Sequence, residues 1–194
     1  MGSILDVISG VLNSGAVNDI SRKIGVDPAT TGSAIQAAMP LLLSALNKNA
    51  STPQGAQALH AALTKDHDGS VLDNISSLIA GDGTTGTGIL KHLLGDNQAP
   101  VQSALGQLTG LDSNAIGSVL QTLAPMVMGA LGKATAQQGL DPSGLAQYLG
   151  GQHQAAATAQ PDIMNTIGGI LNGTGGSDAL GGLGKIVGSL FGGR

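Results

Sequence analysis

Apolar residues recur at i, i+1, i+4, i+7 and i+8 in three short stretches of this chain: ILDVISGVLN from Ile4, VLDNISSLIA from Val71 and IMNTIGGILN from Ile163. The positions are Ile4, Leu5, Ile8, Val11 and Leu12 in the first. They are Val71, Leu72, Ile75, Leu78 and Ile79 in the second, and Ile163, Met164, Ile167, Ile170 and Leu171 in the third. Such spacing draws one stripe along an α-helix and lacks the alternation of a strand. Two longer stretches follow the same rule. Ile35, Met39, Leu42, Leu43 and Leu46 share a helical face, as do Leu120, Ala124, Val127, Met128 and Leu131. No run alternates in the manner of a β-strand, so the pattern predicts an all-α, multi-helical fold.

The longer stretches are copies of each other. GVDPATTGSAIQAAMPLLLSALNKNA from Gly25 and GLDSNAIGSVLQTLAPMVMGALGKAT from Gly110 agree at nine positions at a shift of 85, including Gln36 with Gln121 and Pro40 with Pro125. At a shift of 86, Leu59, Leu63 and His67 meet Leu145, Leu149 and His153. The chain therefore reads as an internal, pseudo-twofold duplication. Residues 1–84 form a first helical repeat, 85–160 a second, and 161–194 a Gly-rich tail that docks on the core or on a neighbouring subunit. A proline inside a helix removes a donor and crowds the preceding turn, so a kink or a break is expected at Pro40 and Pro125.

Boundary residues fit this scheme. Asp27-Pro28 and Asp141-Pro142 read as an N-cap followed by proline in the first turn, and Asp112 as the cap of the second long helix. Ser3 to Asp6 and Ser70 to Asp73 resemble capping boxes. Asn13-Ser14-Gly15, Gly81-Asp82-Gly83 and Asn172-Gly173 read as stops. The stretch Gly81–Gly88 reads as a Gly/Thr loop between the halves. From Asn172 onward the chain holds nine glycines, yet Leu180, Leu183, Ile186, Val187, Leu190 and Phe191 keep helical spacing. Glycine is entropically costly in a helix, so that stripe needs a surface to dock on.

Composition narrows the class. Charged residues make up 10% of the 194, against about 25% in a typical domain, while 41% are hydrophobic and the formal net charge is −4. All 12 acidic residues are Asp. Disordered chains are poorer in apolar residues and richer in charge. Nucleic-acid binders carry basic faces or stacking aromatics, whereas aromatics here are 1%, so no nucleic-acid partner is expected. Absent cysteine removes disulfides, thiolate chemistry and Cys-based zinc sites. The N-terminus lacks the basic region of a secretory signal; a cytoplasmic location follows by default, with export by another route left open. Pro28–Asn47 and Ser113–Gly132 are charge-free and long enough to span a bilayer. Their Ser, Thr, Gln and central Pro favour buried helices over membrane spans, and membrane contact is the less favoured reading.

Candidate chemistry is sparse. Asp66-His67-Asp68-Gly69 looks like part of a calcium loop, but the bidentate Glu that closes such a loop is missing, and a tight turn is the preferred reading. His67 and His153 occupy equivalent repeat positions and form, with Asp66 and Asp68, the weak metal candidates; a full zinc site wants three or four ligands. His60 and His92 complete the histidines. There is no nucleophile elbow and no phosphate loop, since Gly184-Lys185 runs into Ile186. Arg22-Lys23 is the one local basic pair. No catalytic residue and no cofactor is expected.

Several runs carry a family resemblance. Gly25-Val26-Asp27-Pro28 with Met39-Pro40-Leu41-Leu42-Leu43 resembles the YidB-like family of uncharacterised bacterial proteins, domain of unknown function 937. So do Asp66-His67-Asp68-Gly69-Ser70-Val71-Leu72-Asp73, Gly88-Ile89-Leu90-Lys91-His92-Leu93-Leu94-Gly95-Asp96 and Leu123-Ala124-Pro125-Met126-Val127-Met128-Gly129-Ala130-Leu131. The likeness covers about residues 1–150. It implies a helical fold and a bacterial source, and it transfers no catalytic residue.

The charge deficit is the feature that speaks to function. Soluble monomers usually carry surfaces about 25–35% charged. The expectation is a non-enzymatic, self-associating structural or scaffold protein whose partner is itself, as a homo-oligomer or filament. Leu180, Leu183, Ile186, Val187, Leu190 and Phe191 are its association residues. The alternative is a monomeric helical module for an apolar ligand, peptide or membrane surface.

Overall fold

The computed structural model describes residues 15–67, 69–81 and 83–159, with Gly10, Pro161, Ile167 and Gly169. Most of these residues are helical, with no strand among them. The helices are α1 (Val17–Ile24), α2 (Pro28–Ala50), α3 (Pro53–Asp66), α4 (Ile75–Ala80), α5 (Thr84–Leu94), α6 (Gln98–Thr109), α7 (Ser113–Gln138) and α8 (Pro142–Ala159), with 3-10 turns at Ser70–Asn74 and Gly95–Asn97.

Caps set the boundaries. Asp27 accepts the Thr30 amide at 2.9 Å. Asp112 accepts those of Asn114 and Ala115 at 2.8 and 3.0 Å, and Asp141 that of Gly144 at 2.7 Å. Thr52 does the same for Gly55 at 3.1 Å and opens α3. Each contact satisfies a first-turn amide that the helix itself leaves without an acceptor. At the other ends, Gly25, Gly110 and Gly139 take the left-handed conformation, with φ of 70, 75 and 60°, the usual glycine stop. Two expectations fail. Gly69, not Ser70, stands at the cap position of the Ser70–Asn74 turn. Residues 84–88, read as loop, form the first turns of α5.

The long helices α2 and α7 are the centre of the molecule. Of the most apolar stretch in each, 72% and 89% is buried, so in this fold they serve as core helices. Neither breaks at its proline. Around them pack α1, α3, α5, α6 and α8: α2 lies against α8 and α3, α7 against α5, α6 and α3, and the two long helices touch each other. Leu42, Leu43, Leu46, Leu63, Leu90, Ile116, Leu120, Leu123, Leu131, Leu145 and Leu149 are fully enclosed in one core; each such side chain contributes about 1.5–3 kcal/mol. Buried hydroxyls are satisfied within their own helices: Thr31 donates to Asp27 O at 2.9 Å, Thr122 to Ser118 O at 2.9 Å and Thr135 to Leu131 O at 2.8 Å.

Candidate functional site

The most specific geometry lies along α7, where two segments rest on backbone rather than on side chains. Pro125 has no N–H, so the Gln121 carbonyl four residues earlier loses its helical donor. Gly86 of α5 sits directly on that carbonyl: a Cβ there would stand 1.8 Å from Gln121 O and 2.8 Å from its Cα. Glycine instead presents a Cα–H to the freed oxygen, a weak hydrogen-bonding contact. Gly83, with φ of 75°, closes over the Gln121 side chain, where a Cβ would lie 2.9 Å from Oε1. Leu90 and Leu94 of the same helix are thereby driven into the core.

The second seat is one face of α7 farther along. Cβ atoms at Gly129 and Gly132 would lie 2.4 Å from Val71 Cγ1 and 1.7 Å from His67 O. His67 and the strap residues 69–72 therefore lie on a flat glycine surface. Gly69, buried and with φ of 102°, makes the turn in the strap against Lys133. Lys23 of α1 holds the far end of α4, donating to the carbonyls of Ile79 at 2.7 Å and Gly81 at 2.8 Å; a cation belongs at the negative end of a helix.

The candidate metal residues fall as follows. Asp66 is exposed at the end of α3, His67 is half-buried just after it, and His153 is half-buried on α8. Asp68 lies outside the described residues. Among the described residues no three His, Cys, Asp or Glu side chains gather as metal ligands. Burial pushes the His67 imidazole below its ordinary pKa, with Asp66 opposing. His60 donates from Nε2 to Leu140 O at 2.9 Å, tying α3 to the α7–α8 turn. His92 pairs through Nδ1 with Gly88 O at 2.9 Å. Asp27 is held below the usual carboxylate range, chiefly by the Thr30 side chain and then by its backbone amide. Burial raises the Tyr148 phenol, and the Gln138 side chain opposes the shift.

The described residues also line open clefts. One of about 320 Å³ lies beside Asp19, Arg22, Lys23, Ser76, Ile79 and Ala80; here Arg22 pairs with Asp19 and Lys23 is engaged as above. Another, about 290 Å³, opens between the first turns of α3 and α8, at Ala50, Pro53, Ala56, Pro142, Ser143 and Ala146. The six predicted association residues, Leu180, Leu183, Ile186, Val187, Leu190 and Phe191, lie outside the described residues.

A family model described as a bacterial protein of unknown function (DUF937) matches residues 6–134. The chain belongs to that family. No curated protein and no solved structure matches it. The DUF937 match takes in both glycine seats on α7 together with Asp66 and His67, and ends before the Asp141 cap, α8, His153 and the Gly-rich tail. A family of unknown function assigns no role to any of these residues, so the site rests on its geometry alone.

Proposed function

We propose that this DUF937 protein is a non-enzymatic, self-associating structural protein. The observation that carries the reading is the character of its described surface. Large apolar side chains are enclosed or half-buried, and the exposed positions are mainly Gln, Ser, Thr, Gly and Ala with scattered charges. A surface with so little charge offers weak electrostatic resistance to the approach of a second copy. Because the core consumes the apolar residues of the helical body, the attraction falls to the tail stripe from Leu180 to Phe191.

We read the body as a duplicated unit, which supplies two similar surfaces for head-to-tail contact. Support comes from corresponding elements. Gly25 and Gly110 end α1 and α6 in the same left-handed conformation. Asp27 and Asp112 cap α2 and α7. Packing is reciprocal, α2 against α8 and α7 against α3, α1 against α7 and α6 against α2.

Light scattering of the full chain, with negative-stain microscopy, tests the function. Particles well above 19.0 kDa are expected. A 19.0 kDa species persisting at high concentration would refute self-association and turn attention to an apolar ligand at the 290 Å³ cleft.

A further inference from the structure

One face of α2 is exposed where its counterpart on α7 is covered. Pro40 deprives the Gln36 carbonyl of its helical donor, just as Pro125 deprives Gln121, and both pairs coincide at the shift of 85. Gln121 is half-buried beneath Gly83 and Gly86. Gln36 is exposed, Ser33 beside it is exposed, and among the described residues a Cβ added at Gly32 would meet nothing within 4 Å. A run similar to the segment that covers Gln121 recurs near the C-terminus. At a shift of 90, residues 173–183 match residues 83–93 at Gly83/Gly173, Thr84/Thr174, Gly86/Gly176, Leu90/Leu180 and Leu93/Leu183.

We propose that residues 173–183 dock on α2 of their own chain around Gln36, in the place that residues 83–93 take on α7. Gly176 meets the freed Gln36 carbonyl through its Cα–H, and Leu180 and Leu183 enter the core beside α2. The order along the chain supports an intramolecular contact. In the first half, Ile75 packs against the core and Gly86 reaches Gln121 eleven residues later. In the second half its equivalent Ile167 is buried in the same core, and Gly176 follows nine residues later. The inference rests on the duplication. It takes Leu180 and Leu183 out of the association stripe of the proposed function and leaves Ile186, Val187, Leu190 and Phe191 for contact with other copies.

The cysteine-free chain permits a direct test, because Gln36→Cys provides a unique thiol. Its rate of maleimide labelling in the full-length protein reports whether the seat is covered. Slow labelling is expected, rising about tenfold when Leu180→Asp and Leu183→Asp are added, and independent of protein concentration. Gln121→Cys provides the control for an intact fold, its labelling unchanged by the tail substitutions. An unchanged rate at Gln36→Cys after the tail substitutions overturns the proposal. So does protection that grows with concentration, which assigns the seat to a second copy, or protection released by Leu5→Asp with Ile8→Asp, which assigns it to the stripe at Ile4. Scattering on the same samples separates the two readings: a monomer with a protected thiol refutes self-association and keeps the docked tail, whereas an assembly with an unprotected thiol does the reverse.

Discussion

Two glycines in α5 differ by a single turn fragment and should respond to alanine in opposite directions. Among the described residues a Cβ at Gly88 meets nothing within 4 Å, whereas at Gly86 it would lie 1.8 Å from Gln121 O. Ordinary contact requires α5 to retreat from α7 by about 1.5 Å. Gln121 O belongs to a buried helix and cannot yield as a side-chain tip does. Overpacking of this kind costs about 1–3 kcal/mol, and retreat also loosens Leu90 and Leu94, each worth about 1.5–3 kcal/mol when fully enclosed. Helix propensity returns about 1 kcal/mol. Gly86→Ala should therefore destabilise by about 2–4 kcal/mol and lower Tm by about 10 °C. Gly88→Ala should stabilise by about 0.5–1 kcal/mol. Urea denaturation followed by far-UV circular dichroism measures both. If Gly86→Ala matches or exceeds the parent, the close approach on α7 is not a constraint and the reasoning fails.

Three further outcomes follow from the caps and the strap. His67 has a folded pKa below its ordinary 6.5, so the unfolded chain takes up the proton first as pH falls. Its contribution is complete above about pH 6.5 and lost below it; the urea midpoint should drop between pH 7.5 and 5.5, and less so in His67→Gln. Lys23→Met removes both donors to the end of α4 and should cost about 1 kcal/mol, seen as faster hydrogen exchange confined to residues 75–80. Asp112→Ala exposes two first-turn amides of α7 and should cost about 1 kcal/mol, read from the thermal midpoint, with Asp112→Ser restoring most of it.

Most helices could be read from local chemistry. The stripe around Leu42 and Leu46, the Asp27, Asp112 and Asp141 caps and the prolines at Pro28 and Pro142 are short-range signals, and they lie where expected. Residues 84–88 could not be read this way. Gly-Thr-Gly is a poor helix by propensity, and it is helical here in the turn where Gly86 meets α7, a contact 35 residues away in sequence. Ser70 failed for a related reason: the turn before it is dictated by Gly69 against Lys133. The stop at Gly81 lies where expected, at the end of α4, whereas Gly25, Gly110 and Gly139, which end α1, α6 and α7, were not among the expected stops; Gly139 follows the polar run Ala134–Gln138 rather than an apolar stripe. The strap over Gly129 and Gly132 could not be read either, because a small residue announces close approach without naming the neighbour.

The carbonyl freed by each proline has a consequence for how the two sides of the contact tolerate change. The α7 side of the Gly86 contact is made of backbone, so position 121 can vary widely while the acceptor persists, provided that Pro125 stays. The α5 side admits glycine alone. Drift should therefore be lopsided across this contact among DUF937 chains, with glycine and proline retained together and the residue between them in space free to change.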